Sequence, residues 1–386
     1  MRLRLICLAA VFIAATQNSH SLPRFALMAG AKCSSCHINP TGGQMRTEYG
    51  IAFSTDKIPV EAWRDSDFTF SGKVSDNISI GGEYRSQFIY DGYSKTTAFQ
   101  AMTTSIYGAA TIGKKIIFYF KQDIINGTYN GLSNGTDPFN GTEAYVLARI
   151  LPSGGYIKGG SFMPNYGWRI DDHTSYTRGG DLGYTGAGSQ AGLLFVPNYK
   201  DIGVEVGAYV ENLFVTAGLF NGTGHRYPID FSDKKAYAVK VEYSGGISSL
   251  NFVLGASAYG FRAFSMGGLS AGFATGDVTI LGEIDWTKNY MVGPANPGGN
   301  LSAAFAEIDF RAIQGVWLIG KFDMVDPVEG VADDDASPFT NTVKRLTLGF
   351  EIFPFSFVDV RPQYRIVMET PSISNDVALV QMHAWF

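Results

Sequence analysis

Cysteine is almost missing from this chain: three residues among 386, at positions 7, 33 and 36. Without a second Cys pair, a four-ligand zinc site has no basis. A thioredoxin-like dithiol has none either, because no βαβ pattern surrounds the pair. Charge is also sparse, with 17% charged residues and a formal net charge of −5. That balance leaves no basic surface for nucleic acid. Long apolar runs are lacking too. No stretch reaches the roughly eighteen consecutive apolar residues that a membrane-spanning helix requires.

Glycine and aromatic residues are abundant, with 46 Gly, 20 Tyr and 28 Phe. At this level, with polar alternation, they fit barrel strands and aromatic girdles. From Ile78 onward a period of two sets in: Ile78, Ile80, Gly82, Tyr84, Ser86 and Phe88 alternate with Ser79, Glu83 and Arg85. Such a segment matches a tilted strand with one side to lipid and the other to a wet lumen. Similar segments recur at 98–112, 114–125, 142–151, 155–164, 201–210, 213–222, 235–245 and 248–261. Others follow at 265–275, 278–288, 301–312, 316–327, 342–353, 357–368 and 376–386. Tight turns such as Glu211-Asn212, Gly276-Asp277 and Gln314-Gly315 alternate with long polar loops at 127–141, 164–200, 222–234, 290–300 and 328–341. Short turns at one end and long loops at the other mark an outer-membrane barrel. Residues 78–386 are therefore expected to be all-β, a transmembrane barrel of about 16 antiparallel strands. The last strand puts Ala378, Val380, Met382, Ala384 and Phe386 on one face, with Gln381 and His383 on the other.

The N-terminus differs. Arg2 and Arg4 precede an apolar run from Leu5 to Ala15, too short to span a bilayer, which reads as a signal peptide over residues 1–21. Cleavage near Ser19-His20-Ser21 would remove Cys7. Residues 22–58 form a small, loop-rich segment and 59–77 a connector, with a helical turn or two expected from Arg46 to Phe53. Within that segment stands Cys33-Ser34-Ser35-Cys36-His37. Two cysteines spaced by two residues, then a histidine, form the attachment site of one c-type haem. Cys33 and Cys36 would form the thioethers and His37 would reach the iron as proximal ligand. A structural disulfide between the cysteines is the competing reading. Met45, beyond the Gly42-Gly43 turn, is the first candidate for the second axial ligand; Met28, His173, His225 and His383 follow.

Other stretches carry charge. The loop from Pro164 to Lys200 holds Arg169, Asp171, Asp172, His173, Arg178 and Asp181. It either folds into the lumen and sets selectivity or lies as a solvated external loop. Asp326, Glu329, Asp333, Asp334 and Asp335 make a second loop acidic, a surface able to gather cations. Asn-Gly-Thr triplets at Asn126, Asn134, Asn140 and Asn221 read as turns.

Pro23, Phe25, Ala26, Gly30, Cys33, Cys36 and His37, followed by a barrel, resemble the bacterial fused outer-membrane cytochrome–porins, which include iron-oxidising members. The chain departs from that pattern at Leu27 and Ala29, where Arg and Thr would be expected. The resemblance implies a haem segment plugging or lining the periplasmic mouth of a barrel in the outer-membrane lipid. Electrons would pass between an extracellular donor or acceptor, Fe²⁺ among the donors, and a periplasmic carrier such as a cytochrome c. The alternative expectation is a small-solute or anion porin with a haem- or disulfide-bearing appendage.

Overall fold

In the computed structural model the described residues are 23–43, 45–63, 71–113, 115–126, 142–170, 172, 174–181, 192–195, 199–222, 233–290, 299–335 and 340–386. The expected signal peptide falls outside them. Sixteen antiparallel strands run from Ile78–Asp91 to Val377–Trp385, each paired with its neighbours in sequence. The sheet closes because Val377–Trp385 pairs with Ile78–Asp91, in register Gln381↔Gln87 and Trp385↔Glu83. A three-residue strand, Lys73–Ser75, pairs only with the start of Ile78–Asp91. Closure leaves no unpaired edge, which a strand protein in lipid requires. The expected all-β barrel and its strand number are thus both present.

The wall is inside out relative to a water-soluble protein. In the strand Val278–Lys288, Ile280, Ile284 and Trp286 are 46%, 50% and 43% exposed, while Glu283, Asp285 and Thr287 are buried. A continuous belt of exposed apolar side chains is stable only against an apolar solvent, so that face meets lipid. Ile284→Arg, near the middle of its strand, is expected to cost about 2–4 kcal/mol if it lies at the bilayer midplane. Reversible unfolding in lipid vesicles measures this, and an unchanged midpoint would remove Ile284 from the lipid face.

Two segments fill the lumen. The first is N-terminal. Pro23–Ala29 is a helix begun by proline and ended by Gly30 at φ +57°, with the Ala31 N–H donating to Ala26 O. Phe25 packs edge-on against Trp317 (5.4 Å) and Phe353 (5.7 Å) of the wall. Leu27 sits with Trp168, Val253, Leu281 and Phe305. Arg24 forms ion pairs with Asp309 (3.1 Å) and Glu351. A single helical turn, Cys33–Cys36, and a second helix, Glu48–Asp56, follow. The latter starts after Thr47 rather than at Arg46, because the Thr47 hydroxyl oxygen caps the helix by accepting from the Gly50 N–H (3.2 Å). Thr47 also donates to Ser35 O, tying the helix to the Cys33–Cys36 turn. This segment reaches the wall beside tight turns: Val60 N–H donates to Phe353 O, and Gln314 donates to Pro59 O.

The second segment is the long loop after Tyr156–Phe162. Of the two readings of its sequence, its described residues follow the first and lie in the lumen. Trp168 is buried, its N–H donating to Glu283 and its indole N–H to Gly282 O. Gly167 has φ +51°, and a Cβ there would collide with Glu283 and Arg178. The two fillings touch where Arg169 donates to Gly42 O (2.7 Å).

Candidate functional site

The Cys33–Cys36 turn places its two sulfurs three residues apart on one face, and the His37 N–H closes the turn onto Cys33 O (2.9 Å). Both cysteines are thiols rather than a disulfide. Burial, with the Glu242 carboxylate as a further cause, pushes the Cys33 thiol up to about 12.

Cys33, Cys36 and His37 open onto one cavity between the N-terminal segment, the lumen loop and the wall. It holds about 1350 Å³ of space, open solvent at its mouth included. Phe25, Phe53, Trp168, Phe353 and Trp385 supply flat apolar lining; Arg46, Arg169, Lys240 and Arg361 supply cations. The cations have defined settings. Arg46 lies over the Trp385 ring (4.9 Å), and Lys240 donates to Gly167 O (2.8 Å) and pairs with Glu242 (2.9 Å). Arg361 pairs with Glu351 (2.6 Å) and Asp359 (3.2 Å). Two thiols, an adjacent imidazole, aromatic walls and cations for carboxylate groups suit a covalently held porphyrin.

The other ligand candidates separate in space. Met45 is buried in the apolar cluster that also contains Tyr107, Tyr119 and Tyr145 and is not among the residues lining the cavity. Met28 packs partly buried against the Leu27 and Trp168 cluster. His383 lines the cavity. His173 and His225 lie outside the described residues, as do Asp171, Asn134 and Asn140. Asp326, Glu329 and Asp333 to Asp335 are not among the cavity-lining residues, and Glu329 and Asp333 to Asp335 face solvent. Asp326 accepts the Val328 N–H (3.1 Å) and Asp333 the Thr342 N–H (2.8 Å), local turn roles.

The lumen loop is held by charge. Arg178 pairs with Glu283 (2.6 Å), Asp172 with Lys321 (2.9 Å) and Asp181 with Arg345 (3.1 Å). Arg345 also reaches Asp323 (3.3 Å) and Thr174 O (3.0 Å). Sequence reasoning missed Arg24, Lys240, Glu351, Asp359 and Arg361. Their alternation along strands marks Lys240, Glu351, Asp359 and Arg361 as inward, but which of them meet the plug depends on register across distant strands.

No family model matches this sequence, and no curated protein matches it. Solved structures do match in fold. OprB of Pseudomonas putida has a TM-score of 0.56 at 11% identity, covering 80% of this chain and 94% of that one. A loop-deletion form of OmpT, an outer membrane protein of Vibrio cholerae, gives 0.53 at 12%, covering 80% and 99%. The outer membrane channel DcaP of Acinetobacter baumannii gives 0.51 at 11%, covering 82% and 100%. The chain has the fold of a porin-type β-barrel.

Proposed function

We propose that this protein is an outer-membrane barrel carrying one c-type haem in its lumen, which relays electrons between an extracellular donor or acceptor and a periplasmic carrier. Fe²⁺ is a donor of suitable chemistry. The observation that carries this reading is the convergence of Cys33, Cys36 and His37 on one large aromatic cavity inside the wall. The haem, when bound, supplies one-electron redox chemistry. Cys33 and Cys36 would anchor it through thioethers, and His37 would hold the iron from one side. Arg46 and Arg169 would face its carboxylates, since Lys240 already pairs with Glu242 and Arg361 with Glu351 and Asp359. The N-terminal segment and the lumen loop would shield part of the group from bulk water, and that burial would tune its potential.

A second reading follows from the fold likeness itself: a small-solute porin whose N-terminal segment constricts the passage. Its specific support is a second, smaller cavity whose lining mixes Asp172, Glu307, Lys321, Glu351 and Arg361 with Pro23, Ile170, Leu281 and Ile319, placing charge of both signs beside the plug. Two measurements separate the readings. Full-length protein from cells able to mature c-type cytochromes is expected to keep a haem stain on a denaturing gel. In intact cells, membrane-impermeant reductants are expected to reduce that haem. Rapid sugar uptake into vesicles by a protein without haem would favour the porin instead.

A further inference from the structure

We infer that His383, on the strand that closes the barrel, is the second axial ligand to the iron; this rests on the haem reading above. Three observations converge on it. His383 lines the same cavity as His37 and is 8% exposed. Its Nε2 is buried and has no hydrogen-bond partner among the described residues; Glu83 Oε2 stands 3.9 Å away, beyond hydrogen-bond reach. Glu83 is itself held by Lys121 (2.7 Å). An imidazole nitrogen left this way in a charged interior is costly unless something occupies its lone pair.

The other ring nitrogen supplies the second half. Nδ1 lies 3.3 Å from Asp359 Oδ2 and 3.2 Å from an Arg85 nitrogen. These contacts favour opposite tautomers, since the arginine donates and the carboxylate accepts. With the proton on Nδ1, donated to Asp359, Nε2 carries the lone pair. This is the carboxylate–histidine–metal arrangement that orients a ligand ring and raises its basicity. Metal bound at Nε2 selects that tautomer.

A chain of contacts links the two histidines that line the cavity. His37 forms an antiparallel bridge with Arg46, Arg46 lies 4.9 Å over the Trp385 ring, and that ring lies 4.7 Å from the ring of His383. A ligand from the wall and a ligand from the plug would then share one iron, so haem loading would fasten the plug to the barrel.

The test uses full-length, haem-loaded protein in detergent, read by optical and electron paramagnetic resonance spectra alongside the haem stain. The ferric wild type is expected to be low-spin. His383→Ala and His383→Gln are expected to keep the stain but turn high-spin, and added imidazole should restore the low-spin spectrum of the alanine variant. The glutamine variant preserves a polar partner for Asp359, which guards against a folding defect; heat-dependent gel mobility reports barrel assembly in each. A high-spin wild type, or a low-spin spectrum retained in either stained, assembled variant, overturns the ligand assignment. A wild type with no stain overturns the haem reading instead.

Discussion

Replacing Cys33 and Cys36 together by alanine is expected to abolish covalent haem completely while leaving the barrel assembled. The reason is that the two parts of the chain are held by different forces. The wall is a closed ladder of sixteen strands whose backbone groups satisfy one another, and neither cysteine belongs to it. The N-terminal segment has three short helices, of seven, four and nine residues, and is too small to bury a core of its own. It borrows apolar surface from the wall, through Phe25 on Trp317 and Phe353 and Leu27 on Val253 and Leu281, and would borrow more from the porphyrin. Loss of haem should therefore expose residues 31–58 to added protease many-fold faster than in the wild type, with the barrel core resistant. Haem staining, heat-dependent gel mobility and limited proteolysis read the three parts of the statement. A stained double variant would show that the motif does not attach the cofactor.

The second large effect is expected from Arg345→Ala, which should raise ion conductance through single barrels in planar bilayers. Arg345 is fully buried and bridges Asp181 of the lumen loop to Asp323 of the wall, while also donating to Thr174 O. Removing it takes away the cation that Asp181 and Asp323 share, leaving Lys321 at 3.4 Å from Asp323. Breaking a buried pair costs roughly 3–5 kcal/mol, or about two to four powers of ten in the docked-to-released ratio of the loop. Asp172 adds a pH dependence. Burial alone would raise its carboxyl, but Lys321 and Arg365 hold it well below the usual carboxylate range. A depressed carboxylate stabilises docking above its ordinary pKa and loses that stabilisation as pH falls through the depressed value. Wild-type conductance should therefore stay flat from neutral pH down through about 4. An Arg345→Ala barrel with wild-type conductance would show that the loop is held by packing alone.

Much of this architecture was legible from the chain. The alternation of Ile280, Ile284 and Trp286 with Glu283 and Asp285 reads as a wall with lipid on one side, because a strand presents successive side chains to opposite faces. The Cys33-Ser34-Ser35-Cys36-His37 motif is equally local, since it needs only a two-residue spacing and an adjacent imidazole. The lumen loop was not: Asp172, Arg178 and Asp181 look the same whether water or Lys321, Glu283 and Arg345 receives them. Met45 and His383 were ordered by distance along the chain from His37, which favours Met45. In the folded barrel Met45 is buried outside the cavity lining, while His383, 346 positions after His37 in the sequence, lines it.

The sequence by itself determined the parts: a two-residue period repeated sixteen times and a short segment with two cysteines and a histidine. Those are local properties, carried by spacing along one strand or one helical turn. Only the tertiary structure decided where the parts meet. Closure of the last strand on the first brings Glu83, Asp359, His383 and Trp385 to one side of the lumen. The folded-in loop brings Trp168 and Arg169 to the other. Cavity and charge network alike arise from contacts between residues far apart in the chain, and no local pattern encodes which inward-facing side chain will find which partner.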